Sequence, residues 1–251
     1  MNYFDASAWI GKWPFAFVDA HTAASLEKHL RAHGIRRALV SHFDAAFAPT
    51  PSAANAELLE STRRHAALVP VPVINPSLAG WRDALAGVAA DSRVRAVRLL
   101  PAYHGYKLRS AGAQSFAGEA TRRGLRVIVQ VRLIDERHEY HAMNLKPVKV
   151  ADVLAFAARH PRMRLMASGF LRSEILDAVK GGAGFLFDLS FAEWHETIGH
   201  LLGKVPVRQL AFATHTPLLI TAAARAKLDS AGIAKSKRTA IASQNLERWL
   251  G

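Results

Sequence analysis

"RVIVQVRLIDERHEYH", Arg126 to His141, is the stretch whose reading decides the fold. It opens as a buried β-strand, with Val127, Ile128, Val129 and Val131, residues that suit a pleated, packed surface. Gln130 and Arg132 then interrupt the apolar run, and a burst of Asp, Glu, Arg and His follows. Successive side chains of a strand point to opposite faces. Val127, Val129 and Val131 therefore share one face, and Ile128, Gln130 and Arg132 share the other. One face stays apolar while the other turns polar toward the C-terminal end. A closed barrel asks for this pattern, with one face against surrounding helices and the other rising into the mouth where such barrels hold their sites.

Working outward, short β-branched runs alternate with longer Ala-rich ones. Strands are expected near residues 3–8, 37–43, 68–75, 94–101, 126–133, 164–168, 185–190 and 209–215. Between them lie amphipathic stretches such as "TAASLEKHLRAHG" and "PVKVADVLAFAARHP", the first with Ala23, Leu26 and Leu30 near helical spacing. Gly34, Gly124 and Gly184 stand just before strands, where a helix stops and the chain reverses. Eight such alternations over 251 residues predict an α/β fold, a (β/α)8 TIM barrel. No compositional break or linker divides the chain, so residues 1–251 are read as a single domain.

Composition narrows the class. Hydrophobic residues make up 50% of the chain, enough for a sizeable core, and no uninterrupted apolar run reaches membrane-spanning length. The first residues, "MNYFDASAWIG", lack the basic-then-apolar pattern of a secretory leader. The chain has no cysteine, which removes disulfides, thiolate ligands and a cysteine nucleophile, and fits a cytoplasmic protein. The net charge is +13. Much of the excess falls where helices lead into strands, as at Arg36, Arg37, Arg95, Arg126, Arg164 and Arg208. Cations there complement the negative ends of helix dipoles. Basic–aromatic interleaving and zinc-finger spacing are absent, so the charge does not by itself point to nucleic acid.

The strand ends supply the candidate site. The first strand offers Asp5, Ser7 and Trp9, the second His42 and Asp44, and the third Asn75. The fourth, in "VRAVRLLPAYHGYKL", turns Arg98 inward and runs into His104 and Tyr106. The fifth adds Gln130, Arg132, Asp135, Arg137, His138 and His141, and the last three add Ser168, Asp188 and His215. A rim carrying Arg98, Arg132 and Arg137 suits a small substrate bearing a carboxylate, because guanidinium forks bind carboxylates bidentately. Arg132 has a plainer reading, an ion pair with a carboxylate across the barrel top. No Gly-x-Ser-x-Gly elbow is present, and "KGGAGF" lacks the Lys-Ser/Thr of a phosphate loop.

"FDASAWIG", "INP", "RLLPAYHGYKL", "FATHTPL" and "ASQNLERWLG" fall in an order that resembles the amidohydrolase-related proteins, TIM-barrel metal-dependent hydrolases that include amidases, lactonases and decarboxylases. The resemblance spans nearly the whole chain. It implies a hydrolase acting on a small carboxylate-bearing ester, lactone or amide, with decarboxylation of an organic acid as an alternative. It also implies a first-strand pair of histidine ligands, and those positions here are Ser7 and Trp9; the usual strand-eight Asp corresponds to His215. The chain is thus expected to be a divergent member without the usual metal site.

Three outcomes remain open. One is metal-free hydrolysis, with Arg98 or Arg132 stabilising the oxyanion, His215 or His104 as base, and Asp188 or Asp135 orienting that histidine. A second is a divalent metal such as zinc held by a relocated set, His104, Asp188 and His215. The third is a barrel that binds a small molecule without chemistry. Asn75, Gln130, Tyr106, Asp135, Arg137, Ser7 and Trp9 join Arg98 as candidate substrate contacts. The closing segment "AKSKRTAIASQNLERWLG" reads as an amphipathic helix that packs on the barrel or serves an interface between copies of the chain.

Overall fold

A computed structural model describes residues 1–135, 140, 143 and 145–251. Eight parallel strands run in chain order: β1 (Tyr3–Ile10), β2 (Ile35–His42), β3 (Leu68–Pro70), β4 (Ala96–Leu99), β5 (Arg126–Gln130), β6 (Leu165–Ser168), β7 (Leu186–Asp188) and β8 (Leu210–Ala211). They form two hydrogen-bonded runs, β1-β2-β3 and β4 to β8. Parallel bridges Val73↔Arg98 and Ala8↔Thr216 join the runs, and the His215 amide donates to the Ser7 carbonyl at 2.8 Å. The sheet closes on itself as the expected α/β barrel.

Helices fill the connections: α1 (Ala23–Ala32), α2 (Asp44–Phe47), α3 (Ser52–Ser61), α4 (Trp81–Ala89), α5 (Ala111–Arg122), α6 (Val150–Arg159), α7 (Arg172–Lys180), α8 (Thr197–Leu202), α9 (Thr221–Asp229), α10 (Lys235–Thr239) and α11 (Asn245–Leu250). A Thr22–Ser25 capping box starts α1. Gly34 and Gly124 reverse the chain after α1 and α5 with φ of 70° and 71°. After α7 that conformation falls on Gly182, φ 87°, and not on Gly184.

Two apolar layers follow from the alternation. Val127, Val129 and Val131 pack outward with Phe116, Phe156 and other helix residues. Phe4, Leu39, Val71, Ala96, Ile128, Met166, Leu186 and Ala211 fill the lower interior. Leu246 and Leu250 of α11 join that lower layer, so the closing segment packs on the barrel and stoppers its N-terminal end. Arg126 and Arg164 donate to the Trp249 carbonyl at 3.1 and 3.3 Å, and Arg95 to that of Gly251 at 3.0 Å. Part of the basic excess therefore satisfies the carbonyls at the end of α11, as the helix-end argument requires. Among the described residues no helix is long and apolar enough to cross a membrane.

Candidate functional site

Above the apolar interior lies a polar layer drawn from most of the strands. Arg98 sits at its centre, fully buried on β4. Its Nη1 donates to Gln130 Oε1 at 2.5 Å and to Ser7 Oγ at 3.3 Å, and its guanidinium carbon lies 4.4 Å from the centroid of the Trp9 ring. Its Nε and Nη2 are buried without a hydrogen-bond partner among the described residues. Burial lowers Arg98 to about 10, opposed by the negative charges of Asp188 and Asp5, so it stays charged at neutral pH. Gln130 is fixed in turn by donating Nε2–H to the Arg132 carbonyl at 2.7 Å.

His215 follows β8 with φ 56°. Its Nε2 lies 2.7 Å from the Leu133 carbonyl. A carbonyl only accepts, so the ring carries its proton on Nε2 and leaves a lone pair on Nδ1. That lone pair faces the Ser7 hydroxyl at 3.1 Å and the Trp9 indole N–H at 3.4 Å. Burial pulls the imidazole down to about 4, so it is neutral at physiological pH. The expected strand-end histidine is therefore held in one tautomer by a backbone carbonyl, and the expected orienting carboxylate is not at its side. Asp188 accepts instead from Ser190 Oγ at 2.6 Å, from the Ser190 and Gly169 amides at 3.1 and 3.4 Å, and from Ser168 Oγ.

Several expected rim residues lie elsewhere. Arg132 makes a bidentate pair with Glu174, at 2.6 and 2.8 Å, and bonds the Gly169 carbonyl at 2.6 Å. Arg132 thus forms the ion pair of its plainer reading, with Glu174 at the start of α7 as the carboxylate. Asp5 accepts from the Ser7 and Thr214 amides at 3.0 and 2.9 Å and from the Thr214 hydroxyl, so it ties β1 to β8. Between Asp5 and Ala8, three steps of β1 oppose only two of β2. This bulge breaks the simple alternation that grouped Asp5 with Ser7 and Trp9. Ser41 of β2, and Phe43 just past its end, share the parity of interior Leu39. His42 faces outward beneath Gly11, where an added Cβ would approach the ring within 2.6 Å. The signal lay in "LVSHF": Leu39 is interior, and Ser41 and Phe43 share its parity.

His104 bonds the Ala45 carbonyl through Nε2 at 2.8 Å. Tyr106 lies in the outer core between strands and helices. Asn75 is spent on its own turn, accepting from the Ser77 amide at 3.0 Å and hydroxyl at 2.7 Å. Asp135 is half-buried. Arg137, His138 and His141 lie outside the described residues.

Aromatic residues seal the polar layer. Trp9 stacks on Phe43 with centroids 5.2 Å apart and planes 3° from parallel. Trp13 packs edge-on to Phe43 at 5.3 Å, and Leu100, Val73 and Leu133 complete the cluster. Phe191 meets His215 at 5.1 Å. Ser7, Arg98, Gln130, Ser168, Asp188 and His215 are each 2% exposed or less beneath this cover.

The donor set does not fit the metal centre that the resemblance implies. At the first-strand positions, Ser7 is a neutral hydroxyl and Trp9 only donates. Both His215 nitrogens are engaged, and a cation beside Ser7 would lie against the Arg98 guanidinium. The relocated set of His104, Asp188 and His215 does not converge. Among the described residues the one group whose ligand atoms lie within 4.8 Å of one another is His42, Asp44 and Glu57. There the Asp44 amide donates to His42 Nδ1 at 3.2 Å. The neutral ring then carries its proton on Nε2, the nitrogen 3.4 Å from Glu57, which opposes metal binding through it.

No family model matches the chain, and no curated protein matches it. Solved structures do. The chain is 13% identical to 5-carboxyvanillate decarboxylase from Sphingomonas paucimobilis, covering 99% of this chain and 98% of that one with a TM-score of 0.75. It is 14% identical to a probable 2-pyrone-4,6-dicarboxylic acid hydrolase from Acinetobacter baumannii, covering 100% of both at 0.69. An uncharacterized TIM-barrel protein from Bordetella bronchiseptica is 12% identical, covering 100% of this chain and 98% of that one at 0.74. The chain is a TIM barrel from end to end. At these identities the likeness establishes fold, and chemistry has to be argued from the side chains.

Proposed function

We propose that this barrel is a divergent amidohydrolase-type enzyme that hydrolyses a small carboxylate-bearing ester, lactone or amide at its C-terminal mouth, using side chains in place of the usual metal. The observation that carries this reading is Arg98, a buried cation with two donor nitrogens, Nε and Nη2, that find no acceptor among the described residues. A buried guanidinium is costly to leave unsatisfied, and an incoming carboxylate or developing oxyanion would complete it. Preorganised donors of this kind contribute roughly 3–4 kcal/mol each to transition-state stabilisation.

His215 is the proton acceptor in this scheme. Its tautomer leaves Nδ1 basic, directed at the Ser7 hydroxyl. His215 Nδ1 takes a proton from a water that displaces that hydroxyl, and the water oxygen adds to the substrate carbonyl carbon while Arg98 holds the negative oxygen. The acyl C–O or C–N bond then breaks as the imidazolium returns its proton to the leaving oxygen or nitrogen. Substrate reaches this layer only when Trp9 and Phe43 part. Two structurally similar proteins support the substrate class: one is described as a dicarboxylic acid hydrolase and the other acts on a carboxylated vanillate. The latter also keeps decarboxylation as the alternative reaction. A cytoplasmic location, motivated by the lack of cysteine, belongs to the same proposal.

A second reading has its own observation. The seal of Trp9, Phe43 and Trp13 over every polar group suits a barrel that retains a small anion without transforming it. Carboxylated lactones and esters, assayed for hydrolysis and separately for binding, divide the two. Binding with turnover supports the enzyme, and binding without turnover supports the alternative.

A further inference from the structure

At the opposite end of the barrel from the mouth lies a groove of about 710 Å³, between α6, the turn that follows α7, and α11. That volume is in the range of sites for small organic molecules. Its existence follows from missing side chains. Ala155 and Ala158 form one wall, and the main chain of Gly181, Gly182 and Gly184 forms the other. A Cβ built on Gly184 meets no atom within 4 Å, so that glycine borders open space. This is the "KGGAGF" segment, whose glycines have no part in the mouth.

The lining is one-sided in charge. Arg164, Arg208, Arg248 and His160 line the groove, and no Asp or Glu does. Helix-end compensation accounts for Arg164, which donates to the carbonyls of Arg248 and Trp249. It does not account for Arg208. Arg208 is exposed and makes no side-chain hydrogen bond or ion pair among the described residues. Among the described residues the Arg248 side chain bonds only Asn245 Oδ1, through Nη1 at 3.1 Å, which leaves its other donors available. Half-buried Trp249 adds an aromatic ring to the wall, its indole N–H fixed on the Leu165 carbonyl at 3.2 Å.

From these features we infer that the groove is a second ligand site, for a flat organic anion. Its apolar body lies along the Gly–Ala walls and Trp249, and its anionic group meets Arg208 and Arg248. Carboxylate, sulfonate and phosphate share the required chemistry, since each accepts from guanidinium forks.

The test uses the full chain and the dye 1-anilinonaphthalene-8-sulfonate, followed by fluorescence and calorimetry. Arg208→Glu reverses the free charge, and Gly184→Phe fills the groove from a position with room for a side chain. Saturable binding is expected, with each substitution weakening it by about tenfold or more while the melting temperature stays that of the wild type. Displacement by adenosine monophosphate supports a phosphate ligand, and displacement by benzoate alone a carboxylate one. Dye affinity unchanged in both variants, or no saturable binding to the wild type, overturns the inference. Failure here leaves the proposal for the mouth untouched, because no residue is shared.

Discussion

The Ser7 hydroxyl lies 3.1 Å from Nδ1 of His215, and both side chains are fully buried. They meet because β8 closes on β1, bringing together residues 208 positions apart. On its other side the same hydroxyl accepts from Arg98 at 3.3 Å. A neutral base, a hydroxyl and a cation thus stand in a row inside a dry barrel. Low dielectric strengthens each of these interactions and makes each unpaired donor expensive.

His215→Asn tests the base directly. Asparagine tolerates the left-handed φ of 56° at this position, so the variant should fold. It loses the bonds to Leu133 and Ser7, at a cost of about 1–3 kcal/mol, and it should lose turnover altogether. Turnover retained in that variant would remove His215 from the chemistry.

The pH dependence of stability has two opposed contributors. Burial pushes Asp5 up to about 7 despite three hydrogen bonds that favour its charged form. Its contribution is full below ~4, the unfolded value, and is lost as pH rises through the folded one. Burial pulls His215 down to about 4. Its contribution is present above ~6.5 and is lost as pH falls through the folded value. The two slopes offset one another between the value of His215 and neutrality. In urea melts across this range, His215→Asn should lose stability as pH rises, and Asp5→Asn should gain it. Parallel profiles for the variants and the wild type would contradict the account.

Arg132 and Glu174 should behave as a structural pair. Glu174→Ala removes the bidentate carboxylate from a guanidinium that is 5% exposed, which should cost about 1–3 kcal/mol. Arg132→Met combined with Glu174→Leu should cost much less, so a double-mutant cycle should give a coupling of about 1–3 kcal/mol. Additive effects would show the pair to be uncoupled.

Reading the sequence reached the barrel because parity was unambiguous in the strands that matter most. On β5, Ile128 and Gln130 turn inward as alternation requires, and on β4 Arg98 does so between Ala96 and Leu100, whereas Arg132, past the end of β5, pairs with Glu174. It went wrong where geometry departs from a regular strand. The β1 bulge is invisible in "FDASAWIG", and on β2 a histidine drew attention away from Ser41 and Phe43. Partners distant in sequence were out of reach as well. Glu174 is 42 residues from Arg132, and the Leu133 carbonyl that orients His215 is 82 residues away. The Trp9–Phe43 seal is likewise a product of closure, which no local pattern encodes.

Chelation gives an independent check on the mouth. Its donors, Ser7, Trp9 and His215, are engaged with one another beside a fixed cation. Prolonged dialysis against EDTA should therefore leave melting temperature and turnover unchanged. A loss of turnover that added zinc restores would contradict a side-chain mechanism.

The most direct measurement is hydrolysis of paired lactones and esters, each with and without a carboxylate, by the wild type and by Arg98→Met. Methionine keeps the packing against Trp9 and removes the charge. The account predicts that the wild type cleaves carboxylated members in preference, and that Arg98→Met, folded and no less stable, loses that activity. Equal turnover by Arg98→Met, or no cleavage of any carboxylated member by the wild type, would contradict it.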